Sequence, residues 1–343
     1  MKILAIQFRY LGDAVLMTPA LRALKEHFPE CELHVLVAQE VAPLLQHLPW
    51  LNRVWAFPRK RGKAKFRQSW PMLKALRRER FDRSVDFGGS DRSALISFLC
   101  GARRRLGPQH SGGFLGRSFC YTETIKKFRS LHESLANVQV LSAWGISQPD
   151  SVEVEIQADP AQAGAAARLL PHPVILCHLA TSQPKKEWPL THWVEFYRRA
   201  TASHHELMFS TGASPREQSL LDDLKKVLPE APTLPPIPDL ATFLAVLQRA
   251  QLFISGDTGP LHFAAGLKVP TISLFGPSAS SQWAPLGRQH RALQGSQCTC
   301  GSTTQGCFSS SHCMAAISPA AVLELLPDAP VESAAAVYQN TKP

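Results

Sequence analysis

The chain has 343 residues, 45% hydrophobic and 19% charged, a balance typical of a globular protein large enough for two α/β domains. No apolar run approaches the roughly 18 residues that a membrane span requires, and charged Arg9 and Asp13 follow the short apolar start too soon for a signal peptide, so we expect a cytoplasmic protein. The net charge of +10 is uneven, since residues 1–150 hold 24 Lys and Arg against 12 Asp and Glu, whereas residues 151–343 hold 13 against 15.

Strand and helix patterns alternate along the first half of the chain, which predicts βαβ units and a parallel sheet. The predicted strands are 2–8, 32–37, 53–57 and 81–87, and the predicted helices are 14–28, 41–47, 70–78, 91–100 and 131–144. The stretch 107–129 is rich in Gly, Ser and Arg and is predicted to be a long loop.

A second α/β series follows an Ala- and Pro-rich stretch at 148–173, where we place a domain boundary. Its predicted strands are 174–178, 206–211, 252–255 and 271–275, and its predicted helices are 191–202, 215–228, 240–250, 260–267 and 319–326. We therefore predict two Rossmann-like doubly wound domains facing each other across a cleft, the GT-B arrangement. The predicted domains are 1–160 and 161–320, with a tail at 321–343.

The strand at 252–255 leads into Gly256, Asp257, Thr258 and Gly259 at the start of a helix. Free amides and the helix dipole form an anion site there, which suits a diphosphate, and Thr258 adds a hydroxyl donor. Asp257 suits sugar or ribose hydroxyls, or else serves as the helix N-cap. His262, one turn further on, either points into the cleft or satisfies a local hydrogen bond.

Two other loops that follow predicted strands carry candidate polar groups. Thr181 and Ser182 can donate to phosphate oxygens, and Lys185 or Lys186 can stabilise charge on a departing nucleotide, although a surface lysine pair is the alternative. In the loop after the first strand, Asp13 either acts as a general base or caps the following helix.

These loops together resemble glycosyltransferase family 9, the ADP-heptose:lipopolysaccharide heptosyltransferases. The resemblance runs from residue 1 to about residue 320 and rests on four segments. They are Leu11-Gly-Asp-Ala-Val-Leu-Met-Thr-Pro-Ala-Leu21, Lys186-Glu-Trp-Pro189, Ser255-Gly-Asp-Thr-Gly-Pro-Leu-His-Phe-Ala-Ala265 and Val269-Pro-Thr-Ile-Ser-Leu-Phe-Gly-Pro277.

The resemblance implies an inverting transferase that needs no metal for catalysis and uses an ADP-sugar as donor substrate. Asp13 is similar to the family's catalytic base and Lys186 to the lysine on the donor phosphates. The donor-binding residues implied in the same way are Thr181, Ser182, Glu217, Asp257, Thr258, Gly259 and His262.

The basic first half predicts an anionic partner. We expect a phosphorylated glycolipid of the lipopolysaccharide inner core at the inner face of a bacterial membrane, with peripheral membrane contact and no nucleic acid. Gly12, Arg59, Arg61 and Lys63 are the acceptor-binding candidates. The alternatives are a related GT-B enzyme with another nucleotide sugar, including a sugar-nucleotide epimerase or hydrolase, and a non-catalytic binding module.

Four cysteines fall within a short C-terminal stretch as Cys298, Cys300, Cys307 and Cys313. Four thiolates on a short loop can close a tetrahedral zinc site, although this spacing is not that of a standard zinc ribbon. The alternative is that the thiols are buried or incidental. A structural zinc site therefore remains one of two interpretations, and a similar cluster occurs in a subset of the family.

Overall fold

The computed structural model describes residues 1–58, 66–109, 116–128, 130–237, 239–296 and 313–328. These residues form two all-parallel sheets. The inner strands are buried almost without interruption, as expected where helices cover both faces of a parallel sheet. The predicted pair of doubly wound α/β domains is confirmed.

The first sheet has six strands in the order β3-β2-β1-β4-β5-β6. They are β1 (Lys2–Gln7), β2 (Glu32–Ala38), β3 (Arg53–Phe57), β4 (Arg83–Asp86), β5 (Arg104–Pro108) and β6 (Glu123–Ile125). The second sheet has the order β11-β10-β9-β7-β8. Its strands are β7 (Ile175–His178), β8 (Leu207–Ser210), β9 (Leu252–Gly256), β10 (Thr271–Phe275) and β11 (His290–Gln294).

Helices connect most of the strands. In the first half they are α1 (Leu11–Leu16), α2 (Thr18–His27), α3 (Phe66–Arg78), α4 (Asp91–Leu99) and α5 (Glu133–Val140). In the second half they are α6 (Ala163–Leu169), α7 (Leu190–Ala202), α8 (Pro215–Val227), α9 (Leu240–Gln248), α10 (Gly259–Gly266), α11 (Ser280–Trp283) and α12 (Pro319–Leu323).

The strand order fixes where a ligand can lie. In the first sheet the chain winds outward from β1 to β3 and then returns to the other side at β4. The second sheet reverses in the same way between β7 and β9. Ligands of open parallel sheets bind beyond the carboxyl ends of the strands at such switch points. A ligand is therefore expected at the loops after β1, β7 and β9.

The predicted single helix at 14–28 is in fact two helices, α1 and α2, which meet at Met17. Pro19 has no N–H, so it cannot donate to the carbonyl of Val15 four residues earlier. The Thr18 hydroxyl donates to that carbonyl instead, at 2.7 Å. The break separates α1, the short helix that carries Asp13, from α2.

Three further predictions about secondary structure are wrong or incomplete. The predicted loop at 107–129 contains the end of β5, a 3-10 turn at Arg117–Cys120 and strand β6, a short edge strand that pairs with β5. The Ala-rich stretch at 148–173 contains α6, and edge strand β11 was not predicted. The division after residue 160 stays a prediction.

The two halves of the chain are in direct contact beside α1. Thr18 is fully buried, and its hydroxyl accepts a hydrogen bond from the Glu155 amide at 3.0 Å while it donates to Val15. Arg22 pairs with the Glu155 carboxylate at 3.0 Å, and α1 packs against α10 of the second domain. The position of α1 is therefore tied to both domains.

Thr18→Val should lower the free energy of unfolding by about 1–3 kcal/mol, because the isosteric side chain removes a hydrogen bond to the Val15 carbonyl and leaves the half-buried Glu155 amide without its partner. Urea unfolding followed by circular dichroism measures the effect. Thr18→Ser keeps the hydroxyl and is the matched control. Equal midpoints for the wild type and Thr18→Val would contradict this role for the hydroxyl.

Candidate active site

Loops from both sheets meet at one crevice. Gly12 lies at the start of α1, after β1, and His262 lies in α10, after β9. A β-carbon on Gly12 would stand only 2.8 Å from Cδ2 of His262, so a larger residue at position 12 would displace that ring. The glycine is thus required for a close approach between the two domains.

Asp13 is the buried carboxylate of this crevice, with only 4% of its surface exposed. Its Oδ2 accepts a hydrogen bond from the Tyr10 amide at 3.0 Å and lies 4.0 Å from Nε of Arg9. Its Oδ1 has no hydrogen-bond partner among the described residues. One oxygen is therefore fixed by the N-terminus of α1, as in a capping box, and the other is available to accept a proton.

Burial raises the pKa of Asp13 above its usual value, and Glu133 contributes in the same direction. Arg9, the Tyr10 amide and Lys127 act against this rise. Lys127 is itself paired with Glu133 at 2.6 Å. A carboxylate with a raised pKa is a stronger base than an exposed one, which suits proton abstraction.

Lys186 and Asp257 form an ion pair between the loops after β7 and β9, with 2.6 Å between Nζ and Oδ2. Both side chains are largely buried. Burial alone would raise the pKa of Asp257, but the Lys186 ammonium outweighs it and holds the pKa below its usual value. The Asp257 carboxylate thus holds Lys186, the predicted phosphate-binding lysine, in a fixed position.

Thr258, and not Asp257, is the N-cap residue of α10. Asp257 therefore does not cap α10, and its carboxylate lies in the crevice beside Lys186 instead. Thr258 and Gly259 are half-buried, and the first amides of α10 begin at Gly259. An anion placed there would meet the Gly259 amide, the positive end of the helix dipole and the Lys186 ammonium from the neighbouring loop.

His262 is buried, and its Nδ1 has no hydrogen-bond partner among the described residues. Burial lowers the pKa of His262 to about 4, although the charge of Asp257 works against the shift. The ring is therefore neutral at pH 7. Two roles were predicted for His262, a position at the cleft and a satisfied local hydrogen bond. Its close approach to Gly12 favours the position at the cleft.

Thr181 and Ser182 lie in the same loop as Lys186 but differ in exposure. The Thr181 side chain is buried, and its hydroxyl donates to the Gln183 carbonyl at 2.7 Å, whereas Ser182 is exposed. A β-carbon on Gly256 would stand 2.6 Å from the Lys186 carbonyl, so the loop packs directly on the end of β9. Thr181 thus orders the loop, and Ser182 is open to a ligand.

Glu217 lies in the first turn of α8, where it forms a capping box with Ser214. The Ser214 hydroxyl donates to Glu217 at 2.5 Å, and a β-carbon on Gly212 would stand equally close to the Glu217 carboxylate. The carboxylate therefore has a structural role at the end of β8. Its predicted contact with a nucleotide stays a prediction.

Several predicted site residues lie outside the described residues. They are Arg59, Arg61 and Lys63 of the acceptor candidates, and Cys298, Cys300 and Cys307 of the cysteine cluster. Cys313 lies within the described residues and is buried. Among the residues that can be placed, no group of three or more His, Cys, Asp or Glu side chains is arranged to hold a metal ion.

The fold brings further residues to the crevice that the sequence patterns did not indicate. Arg216 of α8 pairs with Glu187 at 2.7 Å and also donates to the Thr181 carbonyl. His132, at the start of α5, lies 2.9 Å from the Ala284 carbonyl of the second domain through its Nε2. Nothing in the local sequence around either residue indicates these distant partners.

Gln7 and Asp86 are further missed residues, at the carboxyl ends of β1 and β4 where the first sheet reverses. Both are buried, and Asp86 accepts hydrogen bonds from two loop amides and from the Tyr121 hydroxyl at 2.6 Å. A polar residue at the carboxyl end of each of two buried strands was a signal that could have found them.

The chain matches a family model described as glycosyltransferase family 9 (heptosyltransferase) over residues 70–309. It is 26% identical to lipopolysaccharide heptosyltransferase 3 of Escherichia coli over 295 residues, which are 81% of this chain and 84% of that protein. No helix in the described part of the chain is both long and apolar enough to cross a bilayer.

Two solved structures from E. coli are similar in fold. ADP-heptose lps heptosyltransferase II matches with a TM-score of 0.75 and 19% identity, covering 94% of this chain and 97% of that one. Heptosyltransferase WaaC with ADP-2-deoxy-2-fluoro heptose matches with a TM-score of 0.68 and 21% identity, covering 94% and 98%. The predicted GT-B arrangement is thereby confirmed.

Asp13→Asn should raise the melting temperature at neutral pH. An acid with a raised pKa in the folded chain takes up protons on folding, so the ionised form opposes folding. The gain should shrink as the pH falls through the folded pKa toward the ordinary value of 3.8, where wild-type Asp13 is also neutral. Thermal melts of both proteins across this range measure it; a gain independent of pH would contradict the buried charge.

Proposed function

The chain belongs to glycosyltransferase family 9, and we propose that it transfers a heptose from ADP-heptose to an anionic acceptor of the lipopolysaccharide inner core. The names of its relatives, which are lipopolysaccharide and lipooligosaccharide heptosyltransferases, support the sugar and the acceptor class. The observation that carries the proposal is the buried Asp13 carboxylate, one oxygen of which has no hydrogen-bond partner among the described residues, in the crevice that also holds the Lys186–Asp257 ion pair.

In the proposed reaction the donor diphosphate lies at the start of α10. The Gly259 amide, the Thr258 hydroxyl and the Lys186 ammonium face it. The Lys186 ammonium would donate hydrogen bonds to the donor phosphates and keep its contact with Asp257, which orients it. Thr181, Ser182, Glu217 and His262 complete the proposed donor site.

Asp13 is the proposed general base. It takes the proton of an acceptor hydroxyl, whose oxygen attacks the anomeric carbon from the face opposite the diphosphate. The bond from that carbon to the diphosphate oxygen breaks, and ADP leaves with the bonding electron pair. A single displacement of this kind inverts the anomeric centre. The unpaired Oδ1 and the raised pKa of Asp13 support this role.

We propose that charge on the departing ADP is stabilised by protein groups in place of a metal ion. Lys186 supplies one full positive charge, and the first amides of α10 supply fixed dipoles. These are the contributions that Mg²⁺ makes to phosphate leaving groups in other enzymes. Turnover that is unchanged by a chelator is therefore part of the proposal.

The acceptor is proposed to bind the first domain. Residues 1–150 carry 24 Lys and Arg against 12 Asp and Glu, which favours a phosphorylated glycolipid. Gly12, Arg59, Arg61 and Lys63 are the proposed contacts, together with peripheral contact at the inner membrane surface. Neutralising Arg59, Arg61 and Lys63 should weaken binding to acidic glycolipid, and binding that is unchanged would count against these contacts.

Asp13→Asn should lower kcat by about 10²–10⁴, because the amide cannot take the acceptor proton. ADP release from ADP-heptose in the presence of acceptor measures the rate. ADP affinity should stay unchanged, since the donor contacts lie on the second domain. Asp150→Asn removes an exposed carboxylate of the same half and is the control. A rate within about tenfold of the wild type would exclude Asp13 as the base.

A thermal-shift panel of ADP, UDP, GDP and CMP tests the nucleotide. We expect ADP to give the largest shift in melting temperature. Asp257→Ala should lose most of that shift, measured against its own unliganded melting temperature, because Lys186 is no longer held beside the phosphates. Asp222→Ala, at an exposed acid of α8, is the control. A preference for UDP or GDP would overturn ADP-heptose as the donor and leave the fold intact.

A further inference from the structure

The loop that carries Lys186 is held in one shape by hydrogen bonds within it. The Thr181 hydroxyl donates to the Gln183 carbonyl at 2.7 Å, and the Lys186 amide donates to the same carbonyl at 2.9 Å. At the end of the loop, the Glu187 amide donates to the Pro184 carbonyl at 3.0 Å. The loop is therefore a compact turn, and its shape determines where the Lys186 ammonium lies.

Arg216 fastens this turn to α8. Its Nη1 donates to Oε1 of Glu187 at 2.7 Å, and its Nη2 donates to the carbonyl of Thr181. The same Oε1 accepts a hydrogen bond from the Thr181 amide at 3.2 Å. Arginine can make both contacts at once because its guanidinium is a planar fork, whereas lysine has a single ammonium group. Both backbone groups of Thr181 are therefore bonded to the Arg216–Glu187 pair.

The Arg216–Glu187 pair differs from an ordinary surface ion pair. The Glu187 side chain is only 13% exposed, although that of Arg216 is 42% exposed. In α7, by contrast, Arg199 and Glu195 pair at 3.1 Å with 50% and 52% of their side chains exposed. Exposed pairs of that kind contribute little to stability. A pair with one enclosed partner and a further bond to the backbone instead fixes local geometry.

The turn also packs on the end of β9. A β-carbon on Gly256 would stand 2.6 Å from the Lys186 carbonyl and 2.9 Å from the Thr181 methyl group. The Lys186 ammonium pairs with the next residue, Asp257, at 2.6 Å. Because β7 lies between β9 and β8 in the sheet, the turn after β7 is held from both neighbouring strands. Without Arg216 it would be held from the β9 side alone.

We propose that Arg216 is a positioning residue for donor binding. Through Glu187 and the Thr181 backbone it holds the turn in the shape that places the Lys186 ammonium on the donor diphosphate. The proposal rests on the proposed function, in which Lys186 binds that diphosphate. Because Arg216 directly precedes Glu217, the predicted nucleotide-side acid, the first turn of α8 serves both ends of the donor.

The ratio of the affinities for ADP and adenosine tests the proposal on the full chain, because the two ligands differ only by the diphosphate. Titration calorimetry measures ADP directly and adenosine by competition with ADP. Arg216→Gln should lower this ratio by about tenfold, since the lysine no longer lies in its productive position. Lys186→Ala should lower the ratio at least as far and sets the scale. Arg216→Lys keeps one of the two contacts and should give an intermediate ratio.

Two further variants separate positioning from direct phosphate contact and from general effects of charge. Glu187→Ala should lower the ratio as Arg216→Gln does, and the double variant should fall no further than the larger single effect, because both residues act through one contact. Arg199→Gln is the matched control, since it removes an arginine from an exposed ion pair of the same domain. Its ratio should equal that of the wild type.

A wild-type ratio in Arg216→Gln would overturn the proposal, whether or not the melting temperature falls. If Lys186→Ala lowers the ratio in the same experiment, the proposed function still stands. A lowered ratio in Arg216→Gln with a wild-type ratio in Glu187→Ala would also overturn the proposal, because Arg216 would then contact the phosphates itself. If Lys186→Ala has no effect, the assignment of Lys186 to the diphosphate fails, and the role of Arg216 fails with it. Lowered ratios in all three single variants support the proposal.

Discussion

The ion pair between Lys186 and Asp257 joins the loops that follow β7 and β9, the two strands between which the second sheet reverses. A lysine in so enclosed a place needs a carboxylate partner, and the carboxylate needs the lysine, because either charge alone would be costly to bury. The pair therefore keeps one cation in the crevice before any substrate arrives. The start of α10 directs its amides to the same place.

Asp13 brings a second charge to this crevice from the other domain, and this charge is poorly compensated. Its Oδ1 has no partner among the described residues, and burial raises its pKa. Such an arrangement costs stability, and proteins retain it where a reactive carboxylate is required. The contact between Gly12 and His262 holds α1, and hence Asp13, against the second domain, and the bonds of Thr18 tie the end of α1 to Glu155.

Much of the fold follows from the sequence, because buried parallel strands and amphipathic helices leave clear periodic patterns and glycines mark the loops after the strands. The positions of Asp13, Lys186 and Asp257 after strands were predictable for that reason. Their contacts were not: Lys186 and Asp257 are 71 residues apart, and His132 meets the Ala284 carbonyl across 152. Short edge strands such as β6 leave too few residues for a pattern.

The most direct test of the central claim is a crystal structure with ADP-2-deoxy-2-fluoro heptose and an acceptor fragment bound. The diphosphate is expected at Thr258 and Gly259, in contact with Lys186. The Asp13 carboxylate is expected on the opposite face of the anomeric carbon, within hydrogen-bond distance of the acceptor hydroxyl. A diphosphate bound elsewhere, or Asp13 on the same face as the leaving group, would contradict this claim.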